Sequence, residues 1–315
     1  MNILVFGAGV LGSLYAARLQ EAGNEVTLVA RGQRFCDLLE QGIVLEEFST
    51  GRQSVTPVRT VDRVPVDEPF DLCLVCVQKT QVPGALEALR KARQIPLFLW
   101  IHNSAEGFED LTAVLGRDRV MIGHANAGGE RDGHMIRYTI SQKMTLGELD
   151  GTKTPRVREI AQVMKSAGFP AVISRDIDAW KRYHVALAVP FAGAMYEHGC
   201  CNLQMAESSQ GVRKCLAGIR ETMAVLKSLN HRPEPAVLSP LMALPDGLLC
   251  PLFRKMLRSE VADIGMARHL RNARAEMAQL ARELQVLMDN SSVSTPVLMP
   301  LTSRVIHEGQ TQAVH

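Results

Sequence analysis

The sequence predicts a two-domain α/β chain. Residues 1–175 form an N-terminal domain on a mostly parallel, doubly wound sheet, and residues 176–315 form an all-helical C-terminal domain. Three observations predict it. Short β-rich apolar runs alternate with helical segments through the first half. A glycine-rich turn, Gly7-Ala8-Gly9-Val10-Leu11-Gly12, separates the first run from the first helix. After Asp176 the apolar spacing stays helical almost to Asp289.

The first strand is Asn2–Phe6, with a helix over residues 11–22 after the glycine turn. Glu25–Val29 is the second strand and Gln33–Gln41 the second helix. Residues 72–77 and 97–101 are near-continuous apolar runs, as strands buried on both faces are. Residues 119–123, 135–139 and Met144–Gly147 read as a short β tail to the N-terminal domain, with 171–174 as its last strand. Residues 179–229 predict one or two long helices, with Pro190 as an interior kink or break. Pro233, Pro235, Pro240, Pro245 and Pro251 punctuate a run of short helices. Residues 260–287 read as one long helix, Ser294-Thr295-Pro296 opens the last, and 307–315 read as a frayed tail.

Composition narrows the function. A hydrophobic content of 46% with 22% charged residues is a globular mix. A net charge of +2 argues against nucleic acid or an anionic membrane as partner. No basic, apolar leader precedes the first strand, so the expected location is cytoplasmic. The apolar stretch 185–196 contains Pro190 and is too short to span a bilayer. Seven cysteines, an odd number, fit reduced thiols. Cys73 and Cys76 read as core thiols on opposite faces of a strand, and Cys200-Cys201 as helix packing. Neither metal-ligand spacing nor a nucleophile motif appears.

The glycine turn carries the most chemistry. It follows a strand and opens a helix, the context in which G-x-G-x-x-G marks a dinucleotide-binding Rossmann domain. Gly7 permits the turn, Gly9 lets pyrophosphate approach the backbone, and Gly12 lets helix and strand pack closely. The second strand ends in Val29-Ala30-Arg31-Gly32-Gln33-Arg34. Arg31, nineteen positions after Gly12, stands where an NAD-binding chain carries an acid. A guanidinium there suits a ribose 2′-phosphate, with Arg34 as a second fork, and the cofactor read from it is NADPH. The competing reading is two solvated surface cations.

On these residues the sequence resembles the ketopantoate reductase family over nearly its whole length. Lys79, in Val77-Gln78-Lys79-Thr80, matches the family's Lys after an apolar strand. Asn103 matches its Asn-Gly, with Ser104 in place of the glycine, and Gly123 and the pair Gly147-Glu148 also match. Glu276 keeps the family's spacing of twenty positions before Pro296. The resemblance implies NADPH held by the glycine turn, Arg31, Lys79 and Asn103, and reduction of 2-dehydropantoate by hydride transfer. It also implies a catalytic Lys in Trp-x-Lys with Asn four positions on. Aligned on Trp180, these fall on Arg182 and Ala186. A further family Asn falls on Pro190 and a substrate-binding Ser on Ile264. These departures leave the substrate open.

A 2-oxo acid reductase must protonate the developing alkoxide and hold the carboxylate. Arg182 can hold an anion but does not give up its proton. Lys181 is adjacent, and His184 lies three positions after it on the same helix face, with an ordinary pKa of about 6.5 that suits an acid. His269 and Glu276, seven apart, would share one helix face, with Glu276 accepting from the active-site cation or a substrate hydroxyl. The candidate catalytic residues are thus Lys181, Arg182, His184 and Glu276, and the candidate substrate contacts are Lys79, Asn103, Arg182 and His269. Plainer readings stand beside these: solvated Lys181 and Arg182, an interhelical His184, and Glu276 paired on the surface with Arg271 or Arg274. The expected function is an NADPH-dependent reductase of a small carbonyl compound, with substrate in the cleft between the domains. The alternatives are reduction of another ketone or an imine, or a non-catalytic NADPH sensor or scaffold. Apolar faces in residues 238–253 raise the expectation of a homodimer.

Overall fold

In the first unit β1 (Asn2–Phe6) is an apolar run buried from Ile3 onward. It lies between β2 (Glu25–Val29) and β6 (Leu72–Val75) and is parallel to both, with Phe6 opposite Val29 and Val75. The structure, a computed structural model, describes residues 1–140, 142–259 and 262–311. The sheet is completed by β5 (Arg59–Val61), β7 (Phe98–Trp100), β8 (Val120–His124), β11 (Met144–Gly147) and β12 (Ala171–Ile173), in the order β12-β11-β8-β7-β6-β1-β2-β5. Every neighbouring pair is parallel except β8 with β11. The chain passes from β1 to β2 on one side and returns to β6 on the other. That reversal is a switch point, where open α/β sheets bind ligands outside the carboxyl ends of their strands.

Residues 135–139 are a strand of this unit, as expected, but in a separate sheet. β10 (Met135–Ile140) belongs to a second sheet of β4 (Gln53–Thr56), β3 (Ile43–Glu47), β10 and β9 (Ala127–Asp132), in that order. α1 (Val10–Glu21) packs on β1 and β2 and also on β9 and β10. Contacts on both sides explain why Leu14, Tyr15, Ala16, Ala17 and Leu19 are all fully buried. α2 (Gln33–Gln41), α3 (Val82–Leu89), α4 (Glu109–Leu115) and α5 (Pro155–Ser166) complete the unit.

The chain divides into two compact units. Met1–His102 and Phe108–Ile177 form the first; Asn103–Gly107 joins the chain from Asp178 onward in the second. The helices of the second unit correct several expectations. α6 (Ile177–Glu197) runs through Pro190 without a break. Pro190 packs its ring over Gly218, 3.1 Å from where a Cβ would stand. The break comes later, at Gly199 and Cys200, both with positive φ. Cys200-Cys201 therefore lies in a turn and not on a helix. α7 (Asn202–Glu207) and α8 (Ser209–Ser228) follow, then α9 (Leu238–Met242) and α10 (Asp246–Leu257).

The long helix expected over 260–287 is three pieces. Glu260 and Val261 lie outside the described residues. A π turn, Asp263–Ala267, leads into α11 (Arg268–Asn272), and Ala273, at φ −116°, separates that from α12 (Arg274–Asp289). Of the expected frayed tail, the part to Thr311 is helical in α13 (Leu298–Thr311), and the rest lies outside the described residues. No helix among the described residues is long and apolar enough to cross a membrane.

Candidate functional site

Gly7 turns the chain at the end of β1 with φ +104°, a conformation that favours glycine. A Cβ there would meet the Cys76 carbonyl oxygen at 2.5 Å. At Gly12 it would lie 1.8 Å from the Gly7 carbonyl oxygen. Packing between turn, helix and strand end therefore demands these two glycines. Gly9 differs, because a Cβ there would meet nothing within 4 Å. It is the N-cap of α1, with no side-chain cap and no acid in the first turn. Among the described residues the first N–H groups of α1 thus have neither a side-chain cap nor a first-turn acid, and the helix dipole favours an anion there.

Arg31 follows β2 and is exposed. Arg34 does not stand beside it as a second fork. It turns inward, donating from Nη1 to the His134 carbonyl at 2.7 Å and from Nη2 to Ser13 Oγ at 3.1 Å. Lys79 opens the short turn Lys79–Gln81 just past β6 and is largely buried. β1 and β6 end in register, so this turn and the glycine loop leave the sheet at one edge. Asn103, which belongs to the second unit, has its Oδ1 buried with no hydrogen-bond partner. Such an acceptor costs about 1–3 kcal/mol until a donor reaches it.

In the second unit α6 carries Lys181, Arg182 and His184. Lys181 is fully buried, and burial pushes its ammonium down to about 7 against the opposing charge of Glu276. Glu276, in the first turn of α12, is itself buried. A surface pairing with Arg271 or Arg274 is ruled out for it, since Arg274 pairs with Glu308 and Arg271 with Asp263 at 3.8 Å. The cation that feels Glu276 is therefore Lys181, one residue before the position reached by aligning on Trp180. Arg182 is bonded elsewhere: Nε donates to Asp178 at 2.8 Å and Nη1 to the Ala105 carbonyl.

His184 stacks on Trp180 with ring centroids 5.5 Å apart and planes at 6°. Burial, then the charges of Lys181 and His269, push its imidazole down to about 3. It is neutral near pH 7, which corrects the expectation that it titrates at an ordinary histidine pKa. Lys181, titrating near neutrality, is the group matched to proton transfer. Ala273 interrupts the helix between His269 and Glu276, so their spacing of seven is not two turns of one continuous helix.

Sequence reasoning missed Glu283. It is 1% exposed and accepts from the Ala105 N–H at 2.7 Å and Ser104 Oγ at 3.4 Å. With Arg182 on the carbonyl, the Ala105 peptide is held from both sides, two residues after Asn103. The signal was its spacing of seven from Glu276 in an Ala- and Leu-rich helix, which puts both acids on one face. Glu283→Ala is expected to cost about 3 kcal/mol of stability, and Glu283→Gln about 1 kcal/mol, in urea unfolding.

Other matched positions serve the scaffold. A Cβ at Gly147 would lie 2.6 Å from Ile177 Cβ, and Glu148 forks Arg156 at 2.8 and 2.6 Å. Ala186, Pro190 and Ile264, where the resemblance implies Asn and Ser, are buried apolar residues. No cluster of metal-ligating side chains is present among the described residues.

Residues 3–151 match the family model described as "Ketopantoate reductase PanE/ApbA". The chain is 23% identical over 244 residues to the uncharacterized oxidoreductase YkpB of Bacillus subtilis (strain 168), covering 75% of this chain and 78% of that one. It is 26% identical over 183 residues to the 2-dehydropantoate 2-reductase of Pyrococcus abyssi (strain GE5 / Orsay), spanning 57% of this chain and 58% of that protein. In fold it is similar to D-mandelate dehydrogenase, solved with NADH and anilino(oxo)acetate. The TM-score is 0.79 at 17% identity, with both chains covered in full.

Proposed function

We propose that this chain is a divergent oxidoreductase of the ketopantoate reductase kind, whose family model matches residues 3–151, and that it reduces a small 2-oxo acid with NADPH. The observation that carries the reading is Lys181, fully buried yet titrating near 7 against Glu276. A group poised at that pKa donates a proton to a developing alkoxide and recovers it at neutral pH.

The residues present fit the dinucleotide. The open approach at Gly9 and the uncapped start of α1 suit pyrophosphate, and Arg31 suits a 2′-phosphate. Lys79, at the same sheet edge as the glycine loop, serves its nicotinamide end, and the buried Asn103 Oδ1 calls for a donor of its own. The nicotinamide, when bound, supplies hydride to the carbonyl carbon. Lys181 protonates the oxygen, and Glu276 keeps enough of it as ammonium to do so. Neutral His184, backed by Trp180, adds no competing charge beside the anionic substrate. Arg182 and Glu283 act at one remove, fixing the segment that carries Asn103.

Buried Ala186 and Ile264 favour a second reading within the same chemistry. With no Asn or Ser there to hold a substrate hydroxyl, the substrate is a 2-oxo acid with an apolar side chain and not 2-dehydropantoate. The likeness to D-mandelate dehydrogenase is in keeping with that.

The test is NADPH oxidation, followed by absorbance, over a panel of hydroxylated, branched-alkyl and aryl 2-oxo acids. Turnover of at least one is expected. Tight NADPH binding with no turnover on any member would leave a sensor instead. Arg31→Ala is expected to weaken NADPH by about tenfold while changing NADH by less than about twofold. Direct titration of both nucleotides checks it, and equal losses would remove Arg31 from the 2′-phosphate.

A further inference from the structure

Arg34 is a cation in surroundings that disfavour one. It is 7% exposed, and its partners are two neutral oxygens, the His134 carbonyl and the Ser13 hydroxyl. Its Nε is buried with no hydrogen-bond partner. No carboxylate among the described residues forms an ion pair with it. Asp37, whose charge favours the guanidinium, is hydrogen-bonded to Gln33 at 2.9 Å, while Arg131 adds like charge. Arg34 also lies in the first turn of α2, where the helix dipole opposes a cation. Burying a guanidinium in such company is costly, and an opposite charge is needed to offset it.

Its connections lead to the nucleotide loop. Nη2 donates to Ser13 Oγ at 3.1 Å, and that hydroxyl donates to the Ala8 carbonyl of the glycine loop at 3.2 Å. Nη1 holds His134, just before β10. One buried side chain thus ties together α2, the first turns of α1 and the turn between β9 and β10, around the anion-attracting end of α1.

We infer that Arg34 is a positioning residue for the dinucleotide and a determinant of phosphate preference. Its buried charge adds to those of exposed Arg31 and Arg131, and through Ser13 it holds the glycine loop for a ligand bearing a ribose 2′-phosphate. The missing counter-charge is the ligand's own. This rests on the NADPH reading above.

The experiment is calorimetric titration of the full chain with NADPH, NADH and adenosine 2′,5′-bisphosphate, for wild type, Arg34→Gln and Arg34→Lys, with melting temperatures of the ligand-free proteins. Arg34→Gln is expected to weaken NADPH and the bisphosphate by about tenfold or more and NADH by less than about threefold. Its ligand-free melting temperature should equal or exceed that of wild type, because an uncompensated buried charge is gone. Arg34→Lys should recover part of the NADPH preference. If Arg34→Gln weakens NADPH and NADH equally, melts lower, or fails to fold, Arg34 belongs to the scaffold alone and the inference is overturned. Wild-type protein that binds neither nucleotide, or prefers NADH, overturns the NADPH reading and this inference with it. Wild type that prefers NADPH, with an unchanged preference in Arg34→Gln, overturns the inference alone.

Discussion

Lys181→Met is expected to lower kcat for carbonyl reduction by about 100- to 10,000-fold while leaving NADPH affinity within about twofold. The replacement fills similar volume and removes the proton. Stability should move the other way. Burial lowers the Lys181 pKa in the folded chain to about 7, below its ordinary value, so the unfolded chain binds more protons between those two pH values. Wild-type stability therefore rises with pH across that window, and the handicap is complete below it. Lys181→Met should abolish that slope and melt at or above the wild-type temperature, most clearly below pH 7. In wild type, reduction should fall as pH rises through about 7, as the ammonium is lost, and oxidation of the hydroxy acid should rise. Single-turnover rates against pH check both limbs. A Met variant that keeps its rate within twofold places the proton donor elsewhere.

Gly9→Ala and Gly12→Ala should fail in opposite ways, although each adds one methyl group. At Gly12 the methyl would collide with the Gly7 carbonyl, and the backbone itself must move. A loss of about 3 kcal/mol is expected, with poor folding before any question of binding. At Gly9 the methyl has open space and φ is −75°, which alanine accepts. That variant should melt like wild type yet bind NADPH about 10- to 100-fold more weakly, because the methyl occupies the approach to the helix N-terminus. Melting curves and nucleotide titration separate the two. Full nucleotide affinity in Gly9→Ala would move the pyrophosphate away from this turn.

The elements around the nucleotide loop were legible because their signals are local. Asn2–Phe6, Glu25–Val29 and Gln33–Gln41 follow from apolar runs bounded by glycine, and the structure places them on those residues. The second sheet was not legible. β9 reads Ala-Gly-Gly-Glu-Arg-Asp, without apolar alternation, and becomes a strand only through β10. Pro190 misled for a similar reason, since tertiary packing on Gly218 keeps α6 intact where local propensity would break it. Around Lys181 the residue types could be read but not their directions. Arg182 and Lys181 are neighbours in sequence, and only packing shows which is enclosed with Glu276 and which braces Ala105. Arg34 was legible as a cation but not as a buried one, because its partners lie 21 and 100 positions away.

The excursion of Asn103–Gly107 into the second unit means that no single cut separates the two units cleanly. A cut after Ile177 would remove Ala105 from Glu283 and Arg182, taking the Ala105 N–H from a buried carboxylate while Arg182 keeps its pair with Asp178. The first piece would keep its whole core, from Ile3 to Phe169, while the second would lose Ala105 from its own, so the damage of such a truncation falls on the helical half.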